Sequence, residues 1–253
     1  MNSPVDVSCL CGKCDNCVIL NHSLCNAGSA EAMAQLNRIS HRRSYPRGSI
    51  IQAQGEPGDL VGNVVKGVVK LSSMSVNGDG HIVGLLFPSD FFGRLFSDES
   101  RFSYEAATDV TLCAINRLAF ERFLADHPAV EHELHKAKLD ELDAVREWAA
   151  ITNGHTTMQR VSTLIYVFSR RSENQLPKRG ANEAPIIHIP LGRSDIADFL
   201  GTTPETLSRN IQILARSGII RIMDSRHFEL LDVAELIRCS GEAREDLNRI
   251  AAI

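Results

Sequence analysis

The chain has 253 residues, of which 43% are hydrophobic and 23% charged, and its formal net charge is -4. This composition is ordinary for a globular protein, and the length suits two modest domains. No run approaches the roughly 18 apolar residues that a membrane-spanning helix needs. The first residues also lack the basic start and apolar core of a secretory signal. We therefore expect a cytoplasmic protein without a membrane segment.

Charge is distributed unevenly along the chain. Residues 160–232 carry ten basic and eight acidic side chains, whereas the remainder carries 17 basic and 23 acidic ones. A mildly basic C-terminal third suits a domain that meets the phosphate backbone of DNA. The asymmetry alone decides little, because so small an excess also arises by chance.

The first 30 residues are rich in cysteine and too polar to pack a core of their own. Five of the seven cysteines lie here, at Cys9, Cys11, Cys14, Cys17 and Cys25. In a reducing compartment such crowding indicates a metal or cluster site more often than disulfides. We predict a cluster-binding arm over residues 1–30.

Short β-branched runs separated by turn residues occupy residues 45–115, after a short predicted helix at 31–38. Lys66-Gly67 and Asn77-Gly78-Asp79-Gly80 lie between such runs. Asn-Gly and Gly-Asp are hairpin signals, because Gly and Asn tolerate positive φ. Many short strands with regular turns indicate a sandwich or barrel. The sequence therefore predicts an all-β sensor domain over residues 31–125.

A helical period follows and continues to about Asn153, where Gly154 ends it. A helix of this length with one apolar stripe needs a partner surface. We predict a symmetric dimer through residues 126–154, with packing against the chain's own β-domain as the alternative. Acidic side chains such as Asp140 and Asp143 that faced their counterparts would weaken association, so that a modest input from the sensor could tip the balance.

The C-terminal third shows the order of a winged helix-turn-helix, with a helix predicted at 161–171, a strand at 186–189, two further helices and a wing hairpin around residues 224–226. Ser194 is placed to cap the first helix of the pair, and Gly201 permits the turn between them. Thr203 is placed to cap the second helix, and Pro204 suits its first position. We predict a winged helix-turn-helix over residues 160–236 and a tail over 237–253.

The second helix of this pair has one buried face and one polar face. The expected buried positions are Leu207, Ile211 and Leu214, and the polar positions near its start are Glu205, Ser208 and Arg209. The N-terminal residues of a recognition helix reach base edges in the major groove. Arg matches guanine O6 and N7, and Glu accepts from cytosine N4. We therefore predict that Glu205, Ser208 and Arg209 bind DNA.

This order of elements resembles the Crp/Fnr superfamily over residues 33–236, and Glu205-x-x-Ser208-Arg209 resembles the DNA-reading signature of its Fnr branch. The resemblance implies an α+β fold with an N-terminal cyclic-nucleotide-binding-like β-roll, a long dimerisation helix and a C-terminal winged helix-turn-helix. It also implies a homodimer on double-stranded DNA, at an inverted repeat close to TTGAT-N4-ATCAA, with RNA polymerase as a further partner.

The resemblance alone does not identify the ligand of the sensor domain, because members of the superfamily bind different ligands. Cyclic-nucleotide binders carry a Gly-Glu pair and an Arg-Ser-Ala run that cradle sugar and phosphate. Here Arg94 follows Gly93 where Glu would stand, and Arg101-Phe102-Ser103 does not reproduce the cradle. We do not expect a cyclic nucleotide as the ligand.

The cysteines offer a better candidate for the sensor. Three thiols recur as Cys14-x2-Cys17-x7-Cys25, Cys113 can supply a fourth, and four thiolates suit an iron–sulfur cluster or a tetrahedral zinc. The spacing is similar to that of the oxygen-sensing Fnr regulators of alphaproteobacteria. This resemblance implies that Cys14, Cys17, Cys25 and Cys113 bind an oxygen-labile [4Fe–4S] cluster that favours the DNA-binding dimer, with oxygen as the signal that removes it. Cys9 and Cys11 leave the choice of ligands open.

Two other interpretations remain. The first is a regulator of the same type with a zinc-bound or metal-free N-terminus that responds to another signal. The second is an iron–sulfur electron-transfer protein, which would need a second cofactor motif. The sequence contains no Walker phosphate loop, no dinucleotide glycine fingerprint after a strand and no His-Glu-x-x-His helix. We therefore do not expect an enzyme.

Overall fold

The computed structural model describes residues 5–6, 28–75, 80–173 and 184–252. The chain folds into two compact units, Met1–Leu139 and Asp140–Ile253, and the boundary falls inside a long helix. No helix in the described part of the chain is long and apolar enough to cross a membrane.

The first unit is built on two antiparallel sheets, which confirms the predicted β-roll. Its strands are β1 Val5–Asp6, β2 Ser40–Tyr45, β3 Ile50–Gln52, β4 Leu60–Lys66, β5 Val69–Met74, β6 Gly80–Leu86, β7 Phe91–Phe92, β8 Ser103–Ala106 and β9 Val110–Asn116. One sheet has the order β1-β2-β9-β4-β7 and the other β3-β8-β5-β6. Most of the predicted turn at 77–80 lies outside the described residues, but Met74 pairs with Gly80 across it.

Three helices belong wholly or partly to this unit, namely α1 Ala30–Ile39, α2 Arg117–Asp126 and the first half of α3 Pro128–Gly154. The predicted helical period that ends near Asn153 is thus divided between α2 and α3, which separate at His127. Proline is favoured at the first position of a helix, where its missing N–H has no intrahelical acceptor, so Pro128 begins a new helix. The long predicted helix is confirmed as α3.

Alternating side chains on β4 and β9 give the five-stranded sheet two apolar faces. Val64 and Leu112 face the other sheet in one core. Val61 and Ile115 are register partners in a second core with α1, α2 and the start of α3. Gly62 of β4 has φ +152°, and a Cβ atom at this position would lie 1.9 Å from the carbonyl oxygen of Cys113 on β9. Because a side chain cannot fit there, Gly62 lets β4 approach β9 closely.

The second unit contains the end of α3 and a winged helix-turn-helix, as predicted. Its other elements are α4 Thr157–Glu173, β10 Ile186–His188, α5 Arg193–Phe199, α6 Pro204–Arg216, β11 Ile220–Ile222, β12 His227–Leu230, α7 Val233–Ser240 and α8 Arg244–Ala252. The three strands form an antiparallel sheet in the order β10-β12-β11. The segment predicted as a tail contains the end of α7 and all of α8, which packs on α4, where the Tyr166 hydroxyl donates to Asn248 Oδ1 at 2.7 Å.

Candidate functional site

The turn between α5 and α6 has the predicted geometry. Gly201 adopts φ +60°, which disfavours residues with a side chain. The Thr203 hydroxyl accepts a hydrogen bond from the Thr206 backbone N–H at 3.2 Å, and Pro204 is the first residue of α6. These local contacts fix the start of α6.

The predicted cap of α5 was wrong by two residues. The N-cap is Gly192 rather than Ser194, which lies inside the first turn. The physical reason is the carboxylate of Asp195, which accepts from the Gly192 backbone N–H at 3.4 Å and thereby satisfies the donor at the helix start. Ile196, Ala197 and Leu200 are buried, as expected for the inner face of α5.

The two faces of α6 differ as the sequence predicts. Leu207, Ile211 and Leu214 are buried. Glu205, Ser208 and Arg209 are all exposed near the start of the helix. Hydrogen bonds from its own backbone N–H and from Thr203 lower the pKa of Glu205, so this carboxylate is an ionised acceptor at neutral pH. The role of these three residues in reading DNA stays a prediction.

Two contacts that were not predicted from the sequence hold the helix-turn-helix within its unit. Arg160 of α4 donates from Nη1 to the carbonyl oxygens of Leu200 at 2.5 Å and of Gly201 at 3.4 Å. A cation is favourable at the unpaired carbonyls where a helix ends. Trp148 of α3 stacks on Phe199 of α5 with ring centroids 5.0 Å apart. The neighbouring helices therefore position the helix-turn-helix.

The wing is closed by Asp224, which lies between β11 and β12. Its Oδ1 accepts from the backbone N–H groups of Arg226 at 2.7 Å and His227 at 2.9 Å, and Oδ2 lies 2.8 Å from His227 Nδ1. The backbone hydrogen bond from Arg226 and the side chain of His227 lower the pKa of Asp224 to about 2. A carboxylate that is ionised at neutral pH thus orders the tip of the hairpin.

Of the four predicted cluster ligands, the structure places one. Cys14, Cys17 and Cys25 lie outside the described residues, whereas Cys113 lies in β9 and is half-buried. Successive side chains alternate across a sheet, so Cys113 shares the face of Ile115 rather than that of Leu112. Its register partners are Arg42 on β2 and Asn63 on β4. Within the described residues, no three His, Cys, Asp or Glu side chains form a metal site.

The N-terminal arm joins the sheet that carries Cys113. The backbone of β1 pairs with β2, Val5 opposite Ser44 and Asp6 opposite Arg43, and β2 lies next to β9. Adjacent strands are about 4.8 Å apart, so β1 and β9 are separated by roughly 10 Å. This pairing brings one part of the arm near the strand of the fourth predicted ligand.

The surface of α3 carries an exposed apolar stripe. Leu139, Leu142 and Val145 are 63%, 42% and 56% exposed. Asp140 and Asp143 are exposed beside them, and Asp143 Oδ1 accepts from Arg146 Nη1 at 3.1 Å. The acidic residue Glu147 is instead paired with Arg249 of α8 at 3.4 Å. Whether Asp140 and Asp143 weaken a dimer stays a prediction.

The chain combines a β-roll, a long helix with an exposed apolar stripe and a winged helix-turn-helix. This combination defines a class of regulators in which a sensor domain is joined to a DNA-binding domain. The family model for the cyclic nucleotide-binding domain matches residues 42–127, and that for the Crp-like helix-turn-helix domain matches residues 159–239. Both matches agree with the β-roll and the helix-turn-helix of the fold.

Individual relatives support the same assignment. A probable transcriptional activator of Rhizobium leguminosarum bv. viciae is 38% identical over 89% of this chain and 92% of its own length. The transcriptional activator protein FnrL of Cereibacter sphaeroides is 33% identical over 94% of this chain and 95% of its own. The solved structure of FixK2 from Bradyrhizobium japonicum has a TM-score of 0.72 and 26% identity, and the match covers 81% of this chain and 99% of that one. The chain belongs to the Crp/Fnr family of DNA-binding, non-enzymatic transcription regulators.

Proposed function

We propose that this regulator is a cytoplasmic transcription activator of anaerobic gene expression that responds to oxygen through a labile [4Fe–4S] cluster. The observation that carries the proposal is its similarity to FnrL over 94% of the chain, together with the cysteine spacing of the arm. Activation would further require contact with RNA polymerase.

The cluster would be held by Cys14, Cys17, Cys25 and Cys113. The surroundings of Cys113 fit this role, because its register partners on the same face of the sheet are Arg42, which carries a positive charge, and Asn63, which carries an amide. When bound, the cluster supplies an oxygen-sensitive group that ties the arm to β9. The pairing of β1 with β2 supports this, since residues 5–6 of the arm pair with that sheet.

The active form would be a homodimer through α3. Three large apolar side chains remain exposed within two turns of this helix, and a second copy of the same stripe would remove them from water. Asp140 and Asp143 would oppose this association in the absence of the cluster.

The dimer would bind an inverted repeat close to TTGAT-N4-ATCAA. A two-fold symmetric protein with one recognition helix per subunit requires two half-sites about one helical turn apart. Glu205, Ser208 and Arg209 are exposed near the start of α6, where recognition helices contact base edges.

The test is a measurement of iron, acid-labile sulfide and zinc on anaerobically purified protein, with a visible spectrum before and after admitting air. We expect about four irons and four sulfides per chain and a spectrum that bleaches. Cys113→Ala should lower both contents and abolish air-sensitive binding of the inverted repeat, whereas Cys239→Ala, on α7, serves as the matched control. Zinc or no metal, with DNA binding indifferent to air, would contradict the oxygen-sensing half of the proposal.

A further inference from the structure

The C-terminal helix α8 reaches back to the end of α3. It packs on α4 with Leu247 and Ala251 buried, and from this position Arg249 Nε lies 3.4 Å from Glu147 Oε1 on α3. These two side chains are 64% and 35% exposed, so the pair contributes little to stability on its own. The match to the Crp-like helix-turn-helix model ends at residue 239, before α8 begins. The family match therefore assigns no role to this helix.

The junction between α3 and α4 is short enough to act as a hinge. Two residues, His155 and Thr156, separate the helices. Each non-helical residue has two soft backbone torsions, and hinges consist of a few such residues at the ends of elements. A Cβ atom at Gly154, the last residue of α3, would lie in open space. The backbone alone would therefore let α3 and α4 change the angle between them.

Two side-chain contacts hold this junction, and we call them the junction contacts. In the first, His155 Nε2 lies 3.2 Å from Oε1 of Glu242, which lies between α7 and α8. Both side chains are mostly buried, at 22% and 23% exposed, so water screens this contact less than the exposed pair of Arg249. The second contact is the stack of Trp148 on Phe199, which joins α3 to α5. The end of α3 is thus connected both to the helix-turn-helix and to the segment between α7 and α8.

We propose that the junction contacts make this regulator specific for the length of the spacer between its two half-sites. The inference rests on the proposed function, because it requires a dimer through α3 on an inverted repeat. Two base pairs more or fewer displace one half-site by roughly 7 Å and rotate it by roughly 70° about the DNA axis. A helix-turn-helix held at one angle to α3 cannot follow this change, whereas a hinged one can. Glu242 and Trp148 are therefore positioning residues that select the spacer.

The first measurement is binding to labelled duplexes that carry the same half-sites with spacers of two, four or six base pairs. Anaerobic, full-length wild type should prefer the four-base-pair spacer about tenfold or more, since a half-site out of reach forfeits its base contacts. Glu242→Gln and Trp148→Ala should each lower this preference roughly fivefold, the factor that loss of one modest interaction gives. Sedimentation velocity should show an unchanged dimer in both variants.

Each variant has a matched control. Glu235→Gln removes a carboxylate of α7 that pairs with Arg238 in its own helix, and Trp148→Phe keeps an aromatic ring against Phe199. Both controls should keep the spacer preference of wild type. If Glu242→Gln and Trp148→Ala also keep it, or if they weaken binding to all three duplexes by one common factor, the inference is wrong.

The second measurement needs neither DNA nor cluster. In metal-free protein, hydrogen exchange followed by mass spectrometry reports how often the junction opens. The backbone N–H groups of His155 and Arg160 are hydrogen-bonded at the end of α3 and the start of α4. Glu242→Gln should raise their exchange rates roughly fivefold, and Glu235→Gln should leave them unchanged. Equal rates in wild type and Glu242→Gln would overturn the inference. If wild type does not bind the inverted repeat, the proposed function fails, and the exchange rates alone decide whether Glu242 holds the junction.

Discussion

Asp224 shows how a single carboxylate orders the wing. It accepts hydrogen bonds from two backbone N–H groups of the turn that it closes, and its second oxygen is shared with His227. The ring of His227 stacks on that of His188, with centroids 4.6 Å apart, so His227 links the tip to both β12 and β10. Loss of the charge on Asp224 should therefore loosen the tip without disturbing the core behind it.

This contact makes the stability of the wing depend on pH in a defined direction. The folded-state pKa of Asp224 is about 2, below its ordinary value of 3.8, so its contribution is present above that ordinary value and is lost as the pH falls through about 2. We expect Asp224→Asn to lower the thermal midpoint at pH 7, with the difference from wild type closing between about pH 4 and pH 2.

The difference in thermal midpoint between wild type and Asp224→Asn, measured by circular dichroism at several pH values, checks this expectation. Glu56→Gln, at an exposed carboxylate of the β-roll, is the control for the change in net charge. A difference that stayed constant from pH 7 to pH 2.5 would show that the carboxylate form of Asp224 is not what stabilises the wing.

For single residues, the sequence predicts the structural role best when the partner of the residue is near it in the chain. Gly201, Thr203 and Pro204 were assigned correctly because their conformations and hydrogen bonds involve neighbours within three positions. Arg160 was not found, because the carbonyl groups that it contacts begin 40 positions away and only the fold brings them together. The error at Ser194 has a different origin, since Asp195 satisfies the helix start from inside the first turn.

At the scale of elements, Arg160 joins α4 to the end of α5. Its guanidinium reaches the two carbonyl groups that precede the turn into α6, and a hydrogen bond from a charged group contributes about 1.5–3 kcal/mol. We expect Arg160→Met to weaken binding to the inverted repeat about tenfold or more, because α6 would no longer be held at one angle to α5.

Fluorescence anisotropy with a labelled inverted repeat, over a range of salt concentrations, separates this role from direct contact. A residue that contacts phosphate contributes about one to the salt slope of log Kd, whereas Arg160→Met should weaken binding with an unchanged slope. Arg244→Met on α8, which removes the same charge from an exposed position, should have little effect. A reduced slope for Arg160→Met would instead make Arg160 a phosphate contact.

Periodicity predicts the elements better than it predicts their ends. The winged helix-turn-helix, the β-roll and the long helix were all predicted, since each has a distinct spacing of apolar residues. The division at His127 was missed because α2 and α3 continue the same apolar period on both sides of Pro128. The helix α8 was missed because short polar segments resemble a tail until a partner such as Tyr166 is known.

At the scale of the whole molecule, the strand row that contains Cys113 and the exposed apolar stripe of Leu139, Leu142 and Val145 both lead to α3. The row of Arg42, Cys113 and Asn63 continues to Phe91 on β7. Lys138 of α3 lies over the Phe91 ring at 5.1 Å and donates to its carbonyl oxygen at 3.5 Å. The next residue of α3, Leu139, begins the exposed stripe. The register pairs from Cys113 to Phe91 and the contact of Phe91 with Lys138 thus connect the row of Cys113 to the residue that precedes the stripe.

If the sensor acts through dimerisation alone, its loss can be compensated on α3. Any ligand or substitution that stabilises the dimer relative to the monomer increases the fraction of dimer, and the size of the increase depends only on that difference in free energy. Asp140 is the sharper choice for such a substitution, because Asp143 is already paired with Arg146 in its own chain. We expect Asp140→Ala to tighten dimerisation in air about fivefold or more, and Asp126→Ala at the end of α2 to leave it unchanged.

The decisive variant combines Cys113→Ala with Asp140→Ala. We expect Cys113→Ala alone to be monomeric and inactive with or without air, and the double variant to regain both the dimer and the inverted repeat, now indifferent to air. Sedimentation velocity and DNA binding on the same samples check both expectations. The double variant retains the predicted DNA-contacting residues of α6. If it dimerises but does not bind DNA, the state of Cys113 must also control the DNA-binding domain. A single Asp140→Ala variant that dimerises no better than wild type in air would remove Asp140 as the brake.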